Sequence, residues 1–237
     1  DGKYLGEWEL EGVDARDWED IAWGPCGDSD ACLWIADIGN NTLLRSELYI
    51  HRVAEPVVDR EQPASAHVIQ AVDTLTFQYP DGERNNAEGL MVAKDGTFWI
   101  VSKSSDEASI YRGKPADGLI TLEKIGTRRT QVDKVTAADL APDESRFIIR
   151  GYDWAAEFAL DDTSIGAAFE RDFTPIQLTV EPQGEAIAYD PSGKAFMTTS
   201  EERHQPIFRY RCLRFASESD TPAVTQATDE SKPPVDD

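Results

Sequence analysis

An acidic residue followed by a short apolar run occurs four times along the chain, and this repetition limits the folds open to it. The copies are Glu19-Asp20-Ile21-Ala22, Glu88-Gly89-Leu90-Met91-Val92, Ala138-Asp139-Leu140-Ala141 and Glu185-Ala186-Ile187-Ala188-Tyr189. After each comes a turn, then a second apolar run (33–37, 98–102, 147–151, 196–200) and a third (47–53, 109–112, 155–160, 206–212). Residues 71–79, 119–125 and, less clearly, 168–173 read as fourth strands, and the last copy lacks one. Short strands, Asp/Gly/Pro turns and a period of about 50 residues are the signature of propeller blades. The expectation is an all-β, four-bladed propeller of four-stranded blades.

A blade cannot bury both faces alone, so the ring has to be closed. Residues 3–10 alternate apolar and polar with no sequential partner, and they are expected to act as the clasp that completes the last blade. The alternative is that they finish a blade whose inner strands are missing, which makes the chain an N-terminally truncated five- or six-bladed ring. The propeller is assigned to 1–214. Residues 215–237 are acidic and poor in apolar side chains, which predicts an extended tail.

With 45 acidic against 23 basic residues and a formal charge of −22, the surface repels nucleic acid and anionic membrane and favours cationic or neutral ligands. No 18-residue apolar run is present, so no membrane span is expected. The chain starts at Asp1 without Met or a signal peptide, as a mature or trimmed product does, and is expected to be a monomer. Cys26 and Cys32 flank five residues, a spacing compatible with a small disulfide loop or with two free thiols in a turn; Cys212 is left over. A disulfide, with the acidic composition, points to an extracellular, periplasmic or cell-surface setting.

In a propeller the first strand of each blade lines the axial channel, so its start and the end of the second strand share one mouth. The starts carry Glu19, Glu88, Asp139 and Glu185, with Asp20 beside them; the ends carry Asp37-Ile38-Gly39-Asn40-Asn41, Ser102-Lys103, Arg150-Gly151-Tyr152-Asp153 and Ser200-Glu201-Glu202. Carboxylates meeting in a channel repel one another. One remedy is a hard divalent cation, Ca²⁺ foremost, on Glu19, Asp37, Glu88, Asp139 and Glu185. The other is a ring of buried ion pairs with Lys103 and Arg150 from neighbouring blades. Were the mouth catalytic, Glu19, Glu88, Glu185, Lys103 and Arg150 are the candidates, acting on a small or polar ligand. The bland alternatives are backbone-bonding for Glu19 and Asp20, a plain turn at 37–41, and inter-blade packing for Trp18, Trp23, Trp34, Trp99 and Trp154. Of the histidines His51, His67 and His204, only His204 is placed at the mouth. No nucleophile elbow, phosphate loop, zinc motif or basic aromatic stripe is present.

At residues 17–22, 37–41, Ile50-His51-Arg52-Val53 with Glu55-Pro56, and Ala87-Glu88-Gly89-Leu90, the chain resembles a family of secreted or lipid-anchored bacterial propellers with no established activity. The resemblance covers roughly residues 3–212 and implies an N-terminally shortened chain. It departs at Asn40, where the family pattern has Asp. More distantly, Glu19 and Glu88 are similar to the channel glutamates of gluconolactonase- and phosphotriesterase-type calcium propellers. That implies a Ca²⁺-dependent hydrolase of lactones or phosphoesters, by analogy of fold alone. The other expectation is a non-catalytic ligand- or protein-binding scaffold.

Overall fold

The computed structural model describes residues 4–26, 29–105, 107–129 and 134–212. They form four blades of a β-propeller. Blade I is built from β2 (Trp18–Cys26), β3 (Ser29–Asp37), β4 (Leu48–Ala54) and β6 (Asp73–Gln78). Blade II is β7 (Ala87–Val92), β8 (Phe98–Ser102), β9 (Glu107–Gly113) and β11 (Glu123–Arg129). Blade III is β12 (Ala137–Leu140), β13 (Arg146–Arg150), β14 (Trp154–Ala159) and β15 (Thr174–Gln177), and blade IV has β16 (Gly184–Tyr189), β17 (Ala195–Ser200) and β18 (Phe208–Arg211). The run 119–125 divides in two: β10 (Leu119–Thr121) crosses back to pair in parallel with β6, and only β11 belongs to blade II.

Residues 168–173 are not the fourth strand of blade III. Ser164 accepts the amide of Ala167 and caps a one-turn helix, α1 (Ile165–Phe169), so the strand falls at Thr174–Gln177. Pro175 has no amide to donate and is tolerated because β15 is an edge.

The N-terminal strand is not the clasp. β1 (Gly6–Leu10) pairs in parallel with β5 (Ser65–Ile69), which lies in the connection from β4 to β6. Trp8 stacks on His67 at 5.1 Å, and the amide of Glu11 reaches the Ile69 carbonyl at 2.8 Å. An unpaired edge in the blade I excursion captured the strand instead of the edge of β18. Lys3 and the tail from residue 215 lie outside the described residues.

The blades stack through three apolar seams. Trp34, Ile50 and Phe77 of blade I meet Leu90, Phe98 and Ile100 of blade II. Met91, Val101 and Ile110 meet Phe147, Ile149 and Phe158 of blade III. Ala137, Ile148 and Ala155 meet Ile187, Tyr189 and Phe196 of blade IV. Gly89 permits the middle seam: a Cβ there would lie 2.9 Å from the Ala138 Cβ. Cys26 and Cys32 are joined as a disulfide, and Cys212 lies outside that bond, its sulfur 4.0 Å from Arg146 Nη2.

Cross-strand register corrects the sequence alignment of the repeats. Val92 pairs with Phe98, Leu140 with Phe147 and Tyr189 with Phe196, which makes these residues equivalent. Counting back, Asp139 matches Met91, and Thr136, not Ala138, stands where the other blades carry glutamate. Equivalence also isolates one face. Ile21 is 56% exposed, whereas its counterparts Leu90, Ala138 and Ile187 are 0%, 3% and 5%. Trp23 is 57% exposed against 9% for Val92 and 8% for Leu140. Trp34 is fully buried, and Trp99 and Trp154 pack on the second seam, so inter-blade packing holds for these three and fails for Trp23.

Candidate functional site

Three glutamates reach the channel mouth by one device. In β2 the pairing with β3 skips from Trp18 to Asp20, in β7 that with β8 skips from Ala87 to Gly89, and in β16 that with β17 skips from Gly184 to Ala186. Glu19, Glu88 and Glu185 are therefore the extra residues of β-bulges, which re-aim a side chain out of the ladder's alternation. Blade III has no such skip between Ala137 and Leu140. Its Thr136 is buried and donates to the Gly184 carbonyl at 2.9 Å, joining blades III and IV.

Lys103, just beyond β8, is the mouth's cation. Its Nζ donates to both oxygens of Glu88 at 2.6 Å and to Tyr152 Oη at 3.1 Å. Burial works against the ammonium charge, but the bonds to Glu88 and Tyr152 outweigh it and hold Lys103 above its usual value. Burial pushes Glu88 up despite that partner, with Glu185 and Asp17 adding to the rise. Glu19 goes further, to about 8, through burial first and then the charges of Glu88, Asp17 and Glu185. Gln183 donates to Glu185 at 3.1 Å and to Glu201 at 2.7 Å, and the hydrogen bond shared with Glu185 raises Glu201. The mouth therefore combines Asp17, Glu19, Glu88, Glu185 and Glu201 with one lysine. Its potential is negative, and burial among neighbouring acids makes Glu19 hold its proton more tightly than an ordinary carboxyl.

Several expected site residues serve the scaffold instead. Asp37 is fully buried, pairs with Arg45 at 2.7 Å, and accepts the amides of Arg16 and Asp17 at 3.2 Å each. Arg45 in turn donates to the carbonyls of Asp37 and Gly39, and Asn40 exchanges two 3.0 Å bonds with the Arg45 backbone. A carboxylate at position 40 could accept but not donate there, which accounts for Asn40. The 37–41 segment is thus a hydrogen-bonded loop scaffold, and Gly39 leaves room for the Glu19 and Asp17 carboxyls that a Cβ would strike.

Asp139 lies mid-strand, as the register requires, and accepts the Tyr189 amide of blade IV at 2.7 Å; burial raises it to about 7. Asp20 does the same for blades II and III, accepting Leu90 N at 2.8 Å and Ala138 N at 3.3 Å, and burial holds it well above its ordinary value. Arg150 makes no pair with the mouth glutamates. It is fully buried against Glu181 at 2.8 Å and donates to the carbonyls of Gly151, Tyr152 and Ala186. The expected ring of inter-blade ion pairs is accordingly one pair within blade II, Lys103 with Glu88. His204 is exposed at a left-handed backbone position, φ 64°.

The mouth's donors are hard oxygens of the kind Ca²⁺ and Mg²⁺ take. Among the described residues, however, no three His, Cys, Asp or Glu side chains stand together as a metal-holding group, and Lys103 Nζ sits on the Glu88 carboxylate. Of the five expected ligands, Glu19, Glu88 and Glu185 reach the mouth, while Asp37 and Asp139 are turned to structural bonds. Glu181, which anchors Arg150, carries no signal in the sequence, being a loop glutamate before Pro182. Among the described residues no helix is long and apolar enough to cross a membrane.

No protein-family model and no curated protein matches the chain. Solved structures do. A nidogen/laminin complex matches at 13% identity and a TM-score of 0.44 over 70% of this chain and 54% of that one. A 6-phosphogluconolactonase-like protein from Bacteroides fragilis matches at 14% and 0.43, over 82% and 55%. Another from Bacteroides uniformis matches at 13% and 0.41, over 76% and 50%. The chain spans about half the length of these structures.

Proposed function

We propose that the chain is a ligand-binding propeller whose acidic mouth captures a small cation. The observation that carries this is the convergence of Asp17, Glu19, Glu88, Glu185 and Glu201 around Lys103, the one cation placed among them in the described residues. The excess of negative charge favours a positive guest, and Lys103 on Glu88 illustrates how these carboxylates take an ammonium group. Glu19 and Glu185 are the arms left for the ligand, with Glu201 beside them. Calorimetric titration with putrescine, CaCl₂ and MgCl₂ tests it. Uptake of the diamine, weakened in Glu19→Gln and Glu185→Gln, is expected, and no uptake of any of the three defeats the proposal.

A metal-dependent hydrolase is the second reading, favoured by Glu19, whose raised carboxyl has the character of a general acid. A divalent cation drawn to the oxygens of Glu19 and Glu185 would supply Lewis-acid polarisation of a lactone or phosphoester oxygen. Turnover on a panel of such esters that chelator abolishes would establish this instead. We also propose an extracellular, periplasmic or cell-surface location, on the ground of the Cys26–Cys32 disulfide. Thiol labelling of protein from its native compartment should leave Cys26 and Cys32 unmodified until a reductant is added.

A further inference from the structure

The inner strands that begin at the acidic mouth end in a cavity of about 630 Å³. Glu19 and Trp23 are separated by four residues of β2, about 13 Å of strand, so the cavity is a separate site at the other end of the channel. All four blades contribute to it at equivalent positions: Trp23, Val92, Leu140 and Tyr189, with Pro142 and Pro191 at the following turns. The volume is of small-molecule size, for which about 300–1,000 Å³ is usual.

Its charged lining is lopsided: Glu55, Asp139 and Glu144 stand against Lys94 alone. Glu55 accepts the Trp23 indole N–H at 3.3 Å, and Glu144 accepts the Lys94 amide at 2.8 Å. Glu55 is exposed at the rim, whereas Asp139 is half-buried in the lining, and one of its oxygens holds the Tyr189 amide. An anion among apolar walls selects a guest with one cationic head and a flat apolar body. Trp23 supplies an open indole for such a body, which gives a role to an aromatic residue more exposed than its counterparts in the other blades.

We propose that this cavity binds a small arylalkyl amine, its ammonium group on Asp139 and its ring against Trp23. The site is independent of the acidic mouth and stands or falls separately from it. Calorimetry with phenethylamine and its uncharged isostere 2-phenylethanol tests the assignment on the full chain. The amine should bind at least tenfold tighter than the alcohol. Asp139→Asn, which keeps an acceptor for the Tyr189 amide, should erase that preference, and Trp23→Ala should weaken both ligands. In the unmodified protein, phenethylamine should shift the methyl resonances of Val92 and Leu140, a readout that needs no variant to fold. Equal binding of amine and alcohol, or methyl resonances that do not move, would overturn the proposal.

Discussion

Replacing Glu19 by Gln should stabilise the protein, and only above a defined pH. The Glu19 carboxyl rises from 4.5 to about 8 in the folded protein, chiefly through burial and the charges of Glu88, Asp17 and Glu185. A group whose folded pKa is raised binds its proton more tightly when folded. Its contribution is complete below pH 4.5 and is lost as pH climbs towards 8. The full difference would correspond to roughly 5 kcal/mol for a carboxyl out of solvent. Glu19 is only half-buried, so screening leaves about 1–2 kcal/mol. The variant has no proton to lose. Urea unfolding followed by tryptophan fluorescence, with chelator present, should find the two proteins equal near pH 4 and the variant ahead by about 1–2 kcal/mol at pH 9, a Tm gain of about 2–8 °C. A pH-independent loss in the variant would refute the reasoning, because Glu19 would then be a favourable structural partner and not an uncompensated charge.

Lys103→Met strips the cation from buried Glu88 and should cost about 3 kcal/mol by chemical denaturation, with Glu88→Gln in the same chain restoring most of it. Gly89→Ala forces a methyl to within 2.9 Å of the Ala138 Cβ and 3.1 Å of the Val101 Cβ, so a loss of about 1–3 kcal/mol is expected in the same assay. Replacing Cys26 and Cys32 together by Ser opens a short covalent loop and should lower stability by about 2 kcal/mol, with the calorimetric unfolding still a single transition. Thr136→Glu should fail to build a fourth mouth glutamate: without a bulge its carboxylate stays at the Gly184 seam, and a destabilised protein with unchanged cation uptake is the expected result.

The blades were legible because acid-plus-apolar repeats and turn residues are local signals. Closure was not, since the alternation in residues 3–10 marks a strand without saying which edge will pair with it, and the β5 edge lies more than 50 residues away in sequence. Strand phase alone brings Glu19, Glu88, Glu185 and Lys103 to one end of the inner strands. Asp139 was misplaced for the same reason that those glutamates succeed. A bulge adds one residue to a strand, and aligning a blade without a bulge to three that have one shifts every later position. Asp37 and Arg150 have the composition of site residues, but their partners, Arg45 and Glu181, are fixed only by loop geometry. The α1 turn carried a readable cue in Ser164, which the apolar residues after it outweighed.

The single oxygen of Asp20 that holds the amides of Leu90 and Ala138 joins positions 70 and 118 residues apart, and so three blades rather than two. In an open solenoid each repeat touches only its neighbours, and one end can fray while the other stays folded. Here the third repeat must be in place before the first has all its bonds, so intermediates with one or two blades lack this clamp. Folding of blades I to III therefore waits on this long-range contact, and these three blades open together. Hydrogen exchange at Leu90 and Ala138 should accordingly proceed at one common rate set by global unfolding.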